Sequence, residues 1–133
     1  EETHSDEESD KSKSEQVEKP WGYYEDYFRA DEAVFKKIVV HPRQSLSYQR
    51  HSKREEFWYV VQGRGKMRLN TSYWWVHPGS YFHIKSNEAH QLINDGDEDE
   101  DIIVYEMQFG KCSEDDIVRI EDKYGRVEPV END

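Results

Sequence analysis

The stretch QRHSKREEFW, residues 49–58, sets a run of polar residues directly before an apolar and aromatic run. Because side chains alternate between the two faces of an extended strand, Gln49, His51 and Lys53 are predicted to share one face. Glu56 follows at the start of the next strand. If the shared face is the inside of a barrel, these polar groups form a site beside an apolar core.

Eight short apolar runs surround this stretch, each rich in Val, Ile, Tyr, Trp and Phe and bounded by Pro, Gly, Asn, Ser or Asp. Such runs are typical of strands, and no long segment with a helical period lies between them. Their near-regular spacing predicts an all-β sandwich or closed barrel. The runs cover residues 34–41, 46–51, 57–62, 66–69, 73–77, 81–84, 90–93 and 102–109.

The two ends of the chain differ from this middle part. Residues 1–19 hold eight acids, and Val17 is their only aliphatic residue. This composition cannot bury enough apolar surface to offset chain entropy, so it predicts a disordered acidic tail. We expect one domain over residues 20–127 and a polar tail over residues 128–133. Residues 114–120 are predicted to form one helical turn or an edge strand.

The formal net charge of −12 is unevenly distributed along the 133 residues. Residues 1–19 and 112–133 each carry −5, and residues 20–111 carry −2, with six of their acids in residues 95–101. An acidic chain argues against a nucleic-acid partner, since phosphate contacts depend on clustered Lys and Arg. Without the 95–101 loop, the predicted barrel is mildly basic, which favours a phosphorylated small molecule as ligand.

Cys112 is the single cysteine, which excludes an intramolecular disulfide framework and fits a reducing compartment. No apolar run approaches the ~18 residues that a membrane span needs, and the N-terminus does not resemble a signal peptide. We therefore expect a cytoplasmic protein without a membrane partner.

Histidines point to a candidate metal site. His90 begins one predicted strand, His83 lies on a neighbouring one, and Glu56 begins another. Two imidazoles and one carboxylate on adjacent strands match a three-ligand site that leaves positions open for substrate. Single histidines in strands are also common as surface or core residues, so spacing alone leaves both interpretations open.

Four motifs in one order resemble a known family. The first, residues 49–58 with a Gly five positions after Trp58, and the second, residues 87–94 (NEAHQLIN), are similar to the two cupin motifs. The flanks at residues 19–25 (KPWGYYE) and 114–126 (EDDIVRIEDKYGR) resemble those of type II mannose-6-phosphate isomerases. This cupin also forms the C-terminal domain of bifunctional enzymes joined to a mannose-1-phosphate guanylyltransferase.

The resemblance implies a cupin, a double-stranded β-helix with a jelly-roll-like barrel, that holds a divalent metal, zinc. It implies interconversion of mannose 6-phosphate and fructose 6-phosphate, which feeds GDP-mannose synthesis, and it suggests a homodimer. The family's metal-ligand positions fall on His51, Lys53, Glu56 and His90. Its catalytic Arg falls on Arg54, which is also expected to bind substrate, by stabilising the enediolate or holding the phosphate group. Gln49 is carried over as a substrate-binding residue.

Lys53 departs from the family pattern, because an ammonium group repels the ion that this position would coordinate. In one outcome His51, Glu56 and His90 still bind zinc, with Lys53 turned aside or assisting catalysis electrostatically. In the other, Lys53 pairs with Glu56 and takes the metal's place, which gives a metal-free pocket that still binds anions.

A second departure lies in the second motif, where Ser86 and Asn87 replace the expected Pro and Gly. Asn tolerates left-handed backbone, so we expect the turn to survive. Tyr81 and His83 are candidates for sugar contact or proton transfer.

The function predicted here is that of a sugar-phosphate isomerase. The alternatives are a non-catalytic cupin that binds a sugar or sugar phosphate, and a cupin sugar epimerase.

Overall fold

The computed structural model describes residues 15–126. These residues form eleven β-strands and one 3₁₀ turn, Glu114–Asp116. The strands are β1 (Gln16–Lys19), β2 (Gly22–Ala30), β3 (Ala33–Val40), β4 (Tyr48–Arg50), β5 (Arg54–Gln62), β6 (Gly65–Leu69), β7 (Ser72–Val76), β8 (Tyr81–Ile84), β9 (His90–Ile93), β10 (Ile102–Gly110) and β11 (Val118–Glu121).

The strands make two antiparallel sheets, ordered β1-β2-β3-β10-β5-β8 and β11-β4-β9-β6-β7. Alternate side chains of each strand point into the space between the two sheets. We call the side of each sheet that borders this space the inner face. Trp58, Met67, Leu92 and Val104 are buried there and form part of one apolar core. The all-β barrel predicted from the sequence is confirmed.

Each of the eight predicted runs falls on a strand; β1 and β2 were not predicted, and β11 falls on residues predicted to form one helical turn or an edge strand. β1 and β11 are edge strands with mostly exposed side chains. Their pairing depends on backbone hydrogen bonds, so their sequences need no apolar alternation. Residues 114–120 show both predicted outcomes, since a 3₁₀ turn is followed by β11.

The prediction of a disordered N-terminal tail is wrong for its last four residues, which form β1. Residues 16–19 belong to the segment predicted to be disordered, yet they pair with β2 from Gln16↔Glu25 to Lys19↔Gly22. Backbone pairing at the sheet edge stabilises them without apolar burial. The remainder of the predicted N-terminal tail, residues 1–14, and the predicted polar tail, residues 128–133, lie outside the described residues.

The turn before β9 survives its substitutions, as expected. Asn87 has φ 70°, a left-handed conformation that Asn adopts more readily than most residues. Its backbone N–H donates to the carbonyl of His51 at 2.6 Å. This bond ties the β8–β9 turn to the loop after β4. Gly63, the glycine five positions after Trp58, has φ 95°, and a Cβ there would lie 2.5 Å from the carbonyl oxygen of Asp101.

Residues 117–126, which we call the C-terminal strap, run along the edge of the second sheet. β11 pairs with β4, with Arg119 opposite Gln49. Beyond β11, Tyr124 donates its hydroxyl to the side-chain oxygen of Gln44, and Lys123 Nζ donates to the carbonyl of Arg43 at 2.7 Å. The strap is therefore fastened at both ends.

Candidate metal centre and anion pocket

Three side chains that can bind a metal meet on the inner face. Glu56 projects inward from β5, His90 begins β9, and His51 directly follows β4. All three are buried, and one ligand atom from each lies within 4.8 Å of the others. The pairing of Gln49 with His90 places β4 beside β9, which brings the two histidines together. The structure therefore brings together His51, Glu56 and His90, as the sequence predicts.

His90 has the protonation and orientation of a metal ligand. Its Nδ1 lies 3.0 Å from the carbonyl oxygen of Glu88, which fixes the proton on Nδ1 and leaves the lone pair on Nε2. Burial lowers the pKa of His90, so the imidazole is neutral. Nε2 is buried without a hydrogen-bond partner in the described part of the chain, and it lies 3.6 Å from Glu56 Oε1.

Arg54 contacts the other two donors. Its Nε donates to Glu56 Oε2 at 2.9 Å, and its Nη2 lies 2.8 Å from His51 Nε2, which therefore accepts the bond. The proton of His51 is then on Nδ1, 3.4 Å from Glu56 Oε2. Nη1 of Arg54 donates to the carbonyl of Ser113 at 3.3 Å. A metal bound by all three donors would have to compete with this guanidinium.

Lys53 lies outside the site, which corrects the predicted ligand position and catalytic role. Its side chain is exposed, and its backbone N–H donates to Asp116 Oδ2 at 2.8 Å. Strand alternation predicted Lys53 on the same face as His51, but β4 ends at Arg50 and the alternation ends with it. The cation beside the donors is Arg54, one residue later in the chain.

Glu106 and Gln108 belong to the site and were not predicted. Both point inward from β10, and Trp58 Nε1 lies 3.0 Å from Glu56 Oε1 and 2.9 Å from Glu106 Oε2. Gln108 Nε2 donates to Glu106 Oε1 at 3.1 Å. Burial, followed by the charge of Glu56, raises the pKa of Glu106 to about 8. The sequence does contain a signal for these two residues. On β10, Glu106 and Gln108 continue the alternating inward positions of Ile102 and Val104.

The pocket around these residues is basic and narrow. Its enclosed volume is about 70 Å³, room for a few water molecules, and the whole pocket, including space open to solvent, measures about 530 Å³. Gln49 lines it, as predicted for a substrate-binding residue, and accepts a hydrogen bond from the Ser47 hydroxyl at 2.7 Å. The acids that line it are Glu56 and Glu106, whereas its cationic lining residues are Lys19, Lys36, Arg54, Arg119 and Arg126. This excess of positive charge suits an anionic ligand.

Tyr81 and His83, predicted to contact substrate, lie on the outer face instead. They pair with Tyr59 and Phe57 of β5, and these four side chains point away from the core because strand partners share a face. His83 Nε2 lies 2.6 Å from Glu55 Oε1, and its ring stacks on Phe57 with centroids 4.2 Å apart. The structure therefore does not bring Tyr81 or His83 to the metal donors.

A barrel of two antiparallel sheets that encloses a His/Glu/His cluster is a cupin. Solved structures agree at the level of the fold. A protein with a double-stranded β-helix domain from Klebsiella pneumoniae superposes with a TM-score of 0.65 at 17% identity, covering 84% of this chain and 89% of that one. The capsular polysaccharide assembling protein CapF of Staphylococcus aureus gives 0.71 at 16%, covering 81% and 34%.

Within the cupins, residues 6–122 match the family described as mannose-6-phosphate isomerase C-terminal, and the chain belongs to this family. A relative is the mannose-1-phosphate guanylyltransferase ManC of Salmonella typhimurium, 35% identical over 113 residues. The match covers 84% of this chain and 23% of that protein. The chain thus spans about a quarter of the length of this curated relative.

Among the described residues, no helix is long and apolar enough to cross a membrane. The cytoplasmic location and the homodimer expected from the sequence stay predictions.

Proposed function

We propose that this chain is an isomerase domain that interconverts mannose 6-phosphate and fructose 6-phosphate, with zinc held by His51, Glu56 and His90. The observation that carries the proposal is the buried Nε2 of His90, which has no hydrogen-bond partner among the described residues and lies 3.6 Å from Oε1 of Glu56, a residue that lines the basic pocket. Membership of the mannose-6-phosphate isomerase C-terminal family supports this reaction, which would supply a precursor of GDP-mannose.

The donor set fits a divalent ion in kind, and one ligand atom from each residue lies within 4.8 Å of the others, although a bound ion would have to displace Arg54 from His51 Nε2. Two neutral imidazoles and one carboxylate are a ligand set of catalytic zinc sites, and they leave a position open for substrate. When bound, the ion would polarise the carbonyl and hydroxyl oxygens at C1 and C2 of the sugar.

The other pocket residues have roles that follow from their positions. Isomerisation moves a proton between C1 and C2 through an enediolate, so positive charge is needed beside both oxygens. Arg54 supplies that charge next to the donors. Glu106 is the carboxyl group of the pocket outside the donor set, and we assign it the proton transfer. Gln49 offers an amide to the sugar hydroxyls.

Arg54 also favours a second candidate function, a non-catalytic cupin that binds a sugar phosphate without metal. Its guanidinium already bonds His51 Nε2 and Glu56 Oε2, two of the three donors. The sequence suggested Lys53 for this role, but Lys53 is exposed. In this candidate the fixed charge of Arg54 replaces the charge of the ion.

Metal content and turnover distinguish the two candidates. The purified chain is loaded with zinc, dialysed and measured by elemental analysis, and conversion of mannose 6-phosphate is followed in a coupled assay. We expect one ion per chain with turnover, and loss of both in His90→Gln. A chain that binds mannose 6-phosphate but neither retains metal nor turns it over would replace the first candidate with the second.

His83→Gln is the matched control. It makes the same substitution on the outer face, where His83 contacts Glu55 rather than the donors. Metal content and turnover should match those of the unchanged chain. A loss as large as that of His90→Gln would mean that the site has been misplaced.

A further inference from the structure

A row of paired residues connects the C-terminal strap with the metal donors. Arg119 pairs with Gln49, and Gln49 pairs with His90, so the three side chains share the inner face. Neighbouring strands lie about 4.8 Å apart, which puts the backbone of Arg119 about 10 Å from that of His90. Arg119 and the proposed metal ligand His90 therefore lie two strands apart on the same face.

Arg119 has an unused donor at this position. Its Nε is buried, and it has no hydrogen-bond partner in the described residues. Leaving a buried charged donor without an acceptor costs free energy, so such a group in a native pocket requires an explanation. An oxyanion held between the strap and β4 would supply the missing acceptor.

Two further cations line the same pocket. Arg126 is held by Asp122, which accepts from its Nε at 2.8 Å and from its Nη2 at 3.1 Å. Lys19 reaches the pocket from the end of β1. The acidic lining residues, Glu56 and Glu106, are instead grouped around the indole N–H of Trp58. Acids and the strap cations therefore occupy different parts of the lining.

We propose that Arg119, with Arg126 and Lys19, binds the phosphate group of a phosphorylated monosaccharide. The reacting carbons then lie toward His51, Glu56 and His90, and this orientation rests on the proposed function. Binding of the phosphate group itself does not depend on turnover. The strap thus sets the preference for phosphorylated over free sugar.

Calorimetric titration of the full chain tests this subsite, with mannose 6-phosphate, inorganic phosphate and mannose as separate probes. Arg119→Gln should weaken binding of mannose 6-phosphate about tenfold to a hundredfold, since one charge-assisted hydrogen bond is lost. Binding of inorganic phosphate should weaken in the same direction, and binding of mannose should not change. Arg119→Lys, which keeps the charge, should fall between Arg119→Gln and the unchanged chain.

Arg50→Gln is the control, because Arg50 lies next to Gln49 on β4 but is exposed. It removes the same charge from the neighbouring position, and it should leave all three affinities unchanged. An equal loss of phosphate affinity in Arg50→Gln and Arg119→Gln would overturn the subsite, since it would show only a general effect of net charge. Thermal unfolding of each variant checks that the strap stays docked.

The outcome also separates this subsite from the proposed function. If the unchanged chain binds mannose 6-phosphate through Arg119 but does not isomerise it, the subsite stands and the isomerase proposal fails. If the chain isomerises mannose 6-phosphate and Arg119→Gln leaves both its KM and its affinity unchanged, the subsite fails and the isomerase proposal stands.

Discussion

The two faces of β5 differ in an unusual way. Inward, the strand presents Arg54 and Glu56 before its apolar residues begin at Trp58. Outward, it presents half-exposed aromatic rings, including Phe57 and Tyr59. Arg54 and Glu56 are buried because they bond each other and, for Arg54, the carbonyl of Ser113 in the adjoining loop. The contrast indicates that the buried, charged end of β5 depends on these hydrogen bonds for its stability.

The largest expected difference in stability between the two faces is that between substitutions of Glu55 and Glu56, adjacent carboxylates that lie on opposite faces of β5. Glu56→Gln removes the buried negative charge that pairs with Arg54 and leaves one acceptor oxygen where Arg54 and Trp58 now donate to two, and breaking a buried pair costs about 3–5 kcal/mol in the free energy of unfolding. Glu55→Gln loses an exposed contact with His83, which is worth about 0–1 kcal/mol. Urea unfolding at neutral pH measures both. Equal losses would show that the two faces do not differ in this respect.

Trp58 and Tyr59 give a smaller comparison on the same strand. Trp58→Phe removes the indole N–H shared by Glu56 and Glu106, and it should lower the free energy of unfolding by about 1–3 kcal/mol. Tyr59→Phe alters an exposed ring and should change it by less than about 0.5 kcal/mol. Thermal and urea unfolding should rank the variants in this order, and the reverse order would contradict the importance of the shared bond.

The smallest expected effect on stability concerns the C-terminal strap at the edge of the second sheet. Burial alone would raise the pKa of Asp122, but hydrogen bonds from Arg126 lower it below its usual value of 3.8. A lowered folded pKa stabilises the folded chain above the unfolded pKa, and this stabilisation is lost as pH falls through the folded value. The difference in unfolding free energy between the unchanged chain and Asp122→Asn, about 1 kcal/mol at neutral pH, should therefore shrink below about pH 4. A difference that stays constant to pH 3 would contradict this.

Much of the candidate site could be predicted because its residues lie on regular strands or in recognisable motifs. Glu56 and His90 are inward residues of β5 and β9, where alternation holds. Lys53 was misplaced because alternation was extended through the loop after Arg50. Glu106 was missed although its strand alternates well, because its role depends on the indole of Trp58, which sequence spacing does not reveal.

The strands of the fold also divide into those that the sequence predicts well and those that it does not. Apolar runs identified the strands that form the core, such as β10, because burying those side chains determines their conformation. β1 was missed, and for β11 an edge strand was one of two predicted outcomes, because an edge strand is held by backbone bonds that any polar sequence can make. The contact between the strap and the pocket is equally invisible in the sequence, since it depends on the pairing of β11 with β4.

The position of Trp58 has a consequence for optical spectroscopy. Its indole is buried between two carboxyl groups, whereas Trp74 and Trp75 are exposed on β7. The emission of indole responds to the electric field across the ring, so a ligand that changes the charge at Glu56 or Glu106 changes the fluorescence of Trp58. Replacing the two exposed tryptophans by phenylalanine would lower the background signal from solvent-facing rings. The barrel thus carries a fluorophore in contact with Glu56, a residue of the proposed metal site.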